Sequence, residues 1–333
     1  MRLCYRITMV AVLTFFVSWT GVRGETPGAG DFRVTLLGTG IPVPQPDRSG
    51  PATLVEAGGQ KLLFDGGRNA TTRLYQLRVP LRDVGPLFLT HLHSDHTVGI
   101  PDLWLSGWLG GPWARRVTPF RVIGPTGTKE LMVNLERAYA ADIRIRMADE
   151  KYPAEGVRVI AEEFAAGGVV HDHDGVRVTA FEVDHGDLIK PAYGYRVDYD
   201  GRSVVISGDT RFNKNVITHG TGADVLIHEV AAVRPELLKD AQVQRVMAHH
   251  TSPQEAGRVF ALARPRLAVY THLVLLARPG VPALTVDELV AETRKTYAGA
   301  LVVGEDLMTL VIGKTGVEIL RRASSPGSSV RSN

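Results

Sequence analysis

The chain has 333 residues, 44% of them hydrophobic, and a formal net charge of +3. That length and apolar fraction give a globular protein with one large core or two packed halves, and the small charge excess argues against nucleic acid as a partner. The single cysteine, Cys4, excludes a disulfide framework and a cysteine-ligated metal in the body of the protein.

The N-terminus reads as a secretory leader. Arg2 and Arg6 form a positive region, residues 7–19 are mostly apolar, and Val22-Arg23-Gly24 offers a cleavage site. Thirteen residues are short for a membrane span. Residues 1–24 are therefore expected to be removed, leaving no stable anchor and an exported protein, periplasmic or secreted. Residues 25–32 are rich in Gly and Pro and are expected to be loose.

An alternation of strands and helices follows. Residues 34–37 read as a strand broken by Gly38-Thr39-Gly40, and residues 53–56 and 61–64 flank Gly58-Gly59 as a hairpin. Residues 69–78 read as a helix, and Pro86-Leu87-Phe88-Leu89 as a buried strand. The spacing predicts one longer helix over 128–147, with Leu131, Leu135, Ala138 and Ile145 on one face. Strands dominate 157–206, with an Asp200-Gly201 turn. Then come a strand at 224–227, a helix at 252–263, a strand at 267–271, a helix at 285–297 and strands at 300–303, 307–312 and 316–320. The Ser-, Arg- and Pro-rich tail from Ala323 is expected to be disordered. Two strand-rich halves with outer helices imply an α/β four-layer sandwich over residues 33–322, with no linker to divide it.

The chemistry concentrates where strands end. After Leu89 the chain reads Thr90-His91-Leu92-His93-Ser94-Asp95-His96, which places four ligand-type side chains within six positions. Imidazole and carboxylate suit zinc and similar divalent ions. An extended loop points His91 and His93 the same way, while Asp95 and His96 turn toward a second point, so the pattern suits two ions. The same grammar, an apolar run and then a ligand-type residue, recurs at His185, Asp209, His228-Glu229 and His272. Strand ends on one sheet edge converge in space. His91, His93, Asp95, His96, His185, Asp209 and His272 can together hold two ions, with Asp209, which has two oxygens, as the natural bridge.

These motifs resemble the metallo-β-lactamase superfamily, within it the ribonuclease Z-like branch that includes arylsulfatase-type and phosphodiesterase-type hydrolases. Leu37-Gly38-Thr39-Gly40-Ile41-Pro42 through Arg48 resembles the opening motif, Phe64-Asp65-Gly66-Gly67 the buried aspartate motif, and the run from His91 to His96 the superfamily signature. His185, Ser207-Gly208-Asp209-Thr210, His250-Thr251-Ser252 and Val269-Tyr270-Thr271-His272 are similar to the later motifs. His228-Glu229 stands where the branch has His-Glu-Ala-Thr, though Val230 and Ala231 follow here. The resemblance implies the αββα fold and two divalent ions, zinc first, manganese or iron as alternatives. It places His91, His93 and His185 on one ion and Asp95, His96 and His272 on the other, with Asp209 between. Asp65 is expected to orient a ligand histidine through its outward ring nitrogen.

A water shared by two ions deprotonates near pH 7. Asp95 would orient it or take its proton, His250 would protonate the leaving oxygen as general acid, and Glu229 would keep that histidine charged. The branch's tRNA-processing members commonly carry an arm between the motifs of His185 and Asp209, which here are only 24 positions apart. With the leader, this favours an exported phosphodiesterase or aryl sulfatase acting on a small-molecule ester, with a homodimer left open. A ribonuclease Z-type endoribonuclease, a lactonase or another ester hydrolase are the alternatives. Trp104, Trp108 and Trp113 read either as core or as an aromatic pocket wall. Residues 171–175 read as a solvated turn, His219 as a surface residue, and His249 as facing away from the site that His250 joins.

Overall fold

The computed structural model describes residues 31–321; the expected leader and the expected disordered tail lie outside the described residues. The chain lays down one sheet, then a second, then returns to the first. The strands β1 (Phe32–Gly38), β2 (Ala52–Ala57), β3 (Gln60–Phe64), β4 (Leu87–Phe88), β5 (Phe120–Pro125) and β6 (Val159–Phe164) come first. The second sheet takes β7 (Gly168–His173), β8 (Val176–Glu182), β9 (Tyr193–Tyr199), β10 (Arg202–Ile206), β11 (Val225–Ala232), β12 (Leu267–Leu275) and β13 (Leu301–Val303). β14 (Thr309–Ile312) and β15 (Val317–Leu320) close the first sheet, whose order is β15-β14-β1-β2-β3-β4-β5-β6; the second runs β13-β12-β11-β10-β9-β8-β7.

Side-chain pattern explains the layers. In β8, Val176, Val178 and Ala180 are buried and Arg177 is exposed, the period-two pattern of an antiparallel strand with one covered face. Their partners across the interior include Val34, Leu36, Val55 and Phe64 from the first sheet and Tyr195, Val204 and Val269 from the second. β11 lies between two parallel neighbours and all eight of its residues are buried. One face meets that shared core and the other meets Ala256, Val259 and Phe260 of the helix Pro253–Ala263, so its sequence is apolar on both faces except at His228-Glu229. That helix opens with a capping box between Ser252 and Glu255.

Several expectations change. The helix expected over 128–147 is two helices, Thr128–Ala138 and Ala140–Asp149, which meet at Tyr139 with φ −99° and ψ 7°. The second segment has no buried residue and leaves Ile145 63% exposed, although Ile143 packs, like Leu131 and Leu135, on the outer core. Phe32, placed in the loose segment by its Gly- and Pro-rich surroundings, is the buried first residue of β1. Trp104 and Trp108 are fully buried in the outer core of the first sheet, and their indole N–H groups donate to Val157 O at 2.8 Å and Pro153 O at 2.9 Å. Trp113 packs edge-on to Tyr75. The tryptophans therefore support structure rather than wall a pocket. His219 is half-buried, stacked on Phe181 at 4.3 Å, rather than on the open surface. Of residues 171–175, His171–His173 belong to β7, and only Asp174-Gly175 form the turn.

Candidate metal centre

The ligand-type residues gather at one edge because the strands that carry them run in the same direction. β8 and β10 both pair antiparallel with β9, and β10, β11 and β12 pair parallel. Their C-terminal parts therefore deliver His185, Asp209, Glu229 and His272 to one place. The loop after β4 meets them from the facing sheet. His93 is still extended at φ −62° and ψ 149°, and a helical turn begins at Ser94. That change of backbone separates His91 and His93 from Asp95 and His96.

His272 reaches the edge in a way the strand-end reading did not anticipate. β12 does not stop at Thr271 but continues to Leu275. Its ladder with β11 pairs Glu229 with Thr271 and then Val230 with Leu273, so His272 is the extra residue of a bulge, at φ 43°. A bulge re-aims a side chain that a regular strand would direct elsewhere.

Among the described residues, ligand atoms lie within 4.8 Å of one another in His91, His93 and His185 and in Asp95, His96 and His272; Asp209 also groups with His91 and His96, and His250 groups with His185 and Asp209 and with Glu229 and His272. His93 Nδ1 lies 3.0 Å from His91 Nε2 and 3.4 Å from His185 Nε2. Asp95 Oδ2 lies 3.2 Å from His272 Nε2 and 3.6 Å from His96 Nε2. One oxygen, Asp209 Oδ2, stands between the clusters, 3.3 Å from both His96 Nε2 and His272 Nε2, 3.7 Å from His185 Nε2 and 3.9 Å from His91 Nε2.

These residues fit divalent cations. Asp65 accepts from His96 Nδ1 at 2.8 Å and from the Thr90 backbone N–H at 2.9 Å. The Thr90 hydroxyl donates to Asp65 at 2.9 Å and meets His91 Nδ1 at 2.9 Å. His185 Nδ1 donates to His249 O at 2.8 Å. With the outward nitrogens of His91, His96 and His185 committed as donors, each Nε2 turns a lone pair inward. His96 Nε2 is buried without a hydrogen-bond partner. Burial, with the neighbouring His96, holds His91 well below the usual imidazole range. Burial also brings His185 down to about 4, so both present neutral rings at pH 7. For His96, burial acts in the same direction, but Asp209 and Asp65 outweigh it and raise the ring well above its ordinary value. The environment there calls for positive charge.

A second feature adjoins the clusters. Glu229 Oε1 accepts from the backbone N–H of Thr251 at 2.9 Å and of Thr210 at 3.3 Å. Its other oxygen lies 3.3 Å from His250 Nδ1, an ion-pair distance without the angle of a hydrogen bond. Burial opposes charge on His250, but Glu229 and Asp209 overcome it and raise the imidazole above its ordinary value. The His250 ring lies 5.7 Å from that of His272 and 5.1 Å from that of His185.

Two residues escaped the sequence reading. Thr90 links Asp65 to His91, but nothing in the sequence singles out one threonine before a histidine. His249 does not face away. Its ring packs 5.0 Å from His185 and 4.8 Å from His250. Both histidines continue the end of the helix Ala241–Met247, donating to Val246 O and Met247 O. Helical succession turns adjacent side chains by about 100°, not the half-turn of a strand.

Two facing sheets with outer helices, and an edge where both present ligand-type side chains, define a metal-dependent hydrolase of the metallo-β-lactamase fold. The chain belongs to the β-lactamase superfamily, whose domain model matches residues 60–273. Ribonuclease Z of Mycobacterium marinum (strain ATCC BAA-535 / M) is 35% identical over 277 residues, spanning 82% of this chain and 96% of that relative. The crystal structure of human tRNase Z, short form, superposes with a TM-score of 0.61 at 24% identity, covering 83% of this chain and 98% of the other. Zn²⁺-bound PqqB from Methylobacterium extorquens superposes with a TM-score of 0.59 at 18% identity, covering 84% and 99%; both structural likenesses establish the fold. The expectation that nucleic acid is not a partner is overturned by the relatives named ribonuclease Z. A charge summed over the sequence leaves out the cations such a centre holds, and so says little about whether phosphates are bound.

Proposed function

We propose that the chain is a dinuclear metal-dependent phosphodiesterase of ribonuclease Z type, cutting RNA. His91, His93 and His185 would hold one ion and Asp95, His96 and His272 the other, with Asp209 shared; zinc suits this imidazole-rich set, and manganese and iron are the alternatives. Two such ions supply a water acidic enough to lose its proton near neutral pH and a positive field for the phosphate oxygens. The residues do the rest. Asp95 orients the attacking water. Glu229 fixes His250, and His250 delivers a proton to the departing oxygen.

The observation that carries this reading is the His250–Glu229 pair beside the clusters, at 3.3 Å. A ribose alkoxide is a poor leaving group and needs a positioned acid, whereas an aryl sulfate or an activated ester does not. The relatives named ribonuclease Z support RNA as the substrate. The leader reading of residues 1–24 is retained as a proposal of export, tested by whether mass spectrometry of secreted protein finds an N-terminus near Glu25 or an intact Met1.

The test supplies zinc or manganese and compares RNA bearing a 3′ extension, bis(p-nitrophenyl) phosphate, p-nitrophenyl sulfate and a lactone. Endonucleolytic cutting of the RNA is expected, with the diester well ahead of the sulfate and lactone. Faster sulfate or lactone turnover would overturn the chemistry. Diester turnover with intact RNA would overturn only the substrate.

A further inference from the structure

Beside the proposed His91–His93–His185 cluster lies a cavity of about 220 Å³, lined by His91, Leu92 and His93 and, from a second segment, by Leu188, Ile189 and Lys190. We infer that this cleft receives the nucleobase next to the scissile phosphate, so that Leu188 and its neighbours determine specificity for nucleotides over simple diesters. This rests on the phosphodiesterase reading above.

The second segment is held in place. Its loop, residues 186–192, runs from His185 to β9. Just past Asp209, the Arg211 guanidinium donates to both oxygens of Asp184 at 2.7 Å and reaches Asp187 at 3.4 Å. The Arg211 backbone N–H donates to Asp184 O at 2.7 Å. At the far end, the Tyr193 backbone N–H donates to Thr90 O at 2.9 Å. The loop is thus tied at both ends to segments that carry proposed ligands. It nevertheless presents Leu188 to water at 98% exposure. A single exposed leucine is ordinary on a protein surface; what distinguishes Leu188 is that it lines, together with Leu92 and Ile189, the cleft beside the proposed ligands.

The first segment is equally defined. Leu92 is 38% exposed and lies over Gly127, where a Cβ would come within 2.6 Å of its Cδ1. Gly127 has φ +103°, a backbone that favours glycine. A lining that includes Leu92, Leu188 and Ile189 suits a flat ring, which binds by burial and stacking without regard to base identity. Lys190 supplies charge for the anionic backbone that carries the ring.

Two chromogenic diesters test this: a nucleoside 5′-(p-nitrophenyl phosphate) and methyl p-nitrophenyl phosphate, which has no base. The metal-supplemented full chain is expected to favour the nucleoside diester by roughly tenfold in kcat/KM, as burial of one flat ring provides. Leu188→Asp should bring the ratio of the two kcat/KM values close to one, chiefly through the KM of the nucleoside diester. At its exposure Leu188 is not needed for folding. Calorimetry gives a readout apart from turnover: adenosine 5′-monophosphate should bind more tightly than ribose 5-phosphate, and Leu188→Asp should equalise them. Equal rates on both diesters by the unaltered chain, or a base preference that survives Leu188→Asp, would overturn the inference while leaving the phosphodiesterase reading in place. Turnover of neither diester, with another ester class accepted, would overturn both.

Discussion

His91, His93 and His185 bring three imidazoles to their side of Asp209, and His93 stays half-buried beside the open cleft. Asp95, His96 and His272 bring a carboxylate to the other side, are buried throughout, and have Asp65 behind His96 at 2.8 Å. An ion in the second set meets more negative charge in a drier place, where electrostatic attraction is less screened. It should be held more tightly. An ion in the first set meets neutral rings next to solvent and should exchange more readily, on the side where substrate enters. The Asp95 side would then favour retention and the His93 side access.

The largest effect should come from removing what both triads share. Asp209→Ala is expected to lower metal content from about two ions per chain to less than one and to take hydrolysis to background. Elemental analysis after gel filtration checks this, and a variant that keeps both ions would end the shared-oxygen assignment.

Next is His250→Ala, which should leave both triads filled but slow turnover about 10²–10⁴-fold, the usual contribution of a positioned acid. The loss should be largest for poor leaving groups and small for nitrophenolate. Equal slowing of good and poor leaving groups, or an emptied site, would show that His250 is a ligand rather than an acid.

Asp65→Asn sharpens the contrast between the triads. Competition with a chromogenic chelator should release metal in two steps, the tighter from the Asp95 side. The substitution should weaken that step about 10- to 100-fold, as loss of an orienting carboxylate does, and move the weaker step less, because Asp65 reaches His91 only through Thr90. A larger shift in the weaker step would invert the assignment. The smallest effect is expected far from both. Ile145→Ser on the exposed second helix should change unfolding free energy by less than about 0.5 kcal/mol in a denaturant titration and leave metal content alone.

The sequence made these regions legible to different degrees for physical reasons. The run from His91 to His96 was plain because one loop supplies four ligands after an apolar strand. His185 and Asp209 followed the same strand-then-ligand grammar. β5 was not seen because its short apolar run ends in Gly124-Pro125, and such pairs read as turn punctuation. The break at Tyr139 carries neither Gly nor Pro, so the helical period ran on through it. His249 reads as facing away because adjacent side chains do not easily face one site, yet at a helix end the two rings diverge by only about 100° and both pack near His185. Net charge misled about nucleic acid because the cations of the centre are not encoded as residues.

The bulge at His272 carries a consequence for how this chemistry is embedded. β12 contains one residue more than its ladder with β11 needs, and that surplus residue is the proposed ligand. A chain with His272 deleted should pair Thr271 and Leu273 in unbroken succession with Glu229 and Val230, fold with an intact circular dichroism spectrum, and fail to hold the ion proposed at Asp95, His96 and His272. Scaffold and catalyst would then differ by a single insertion, a step that a lineage can take in either direction without rebuilding the protein around it.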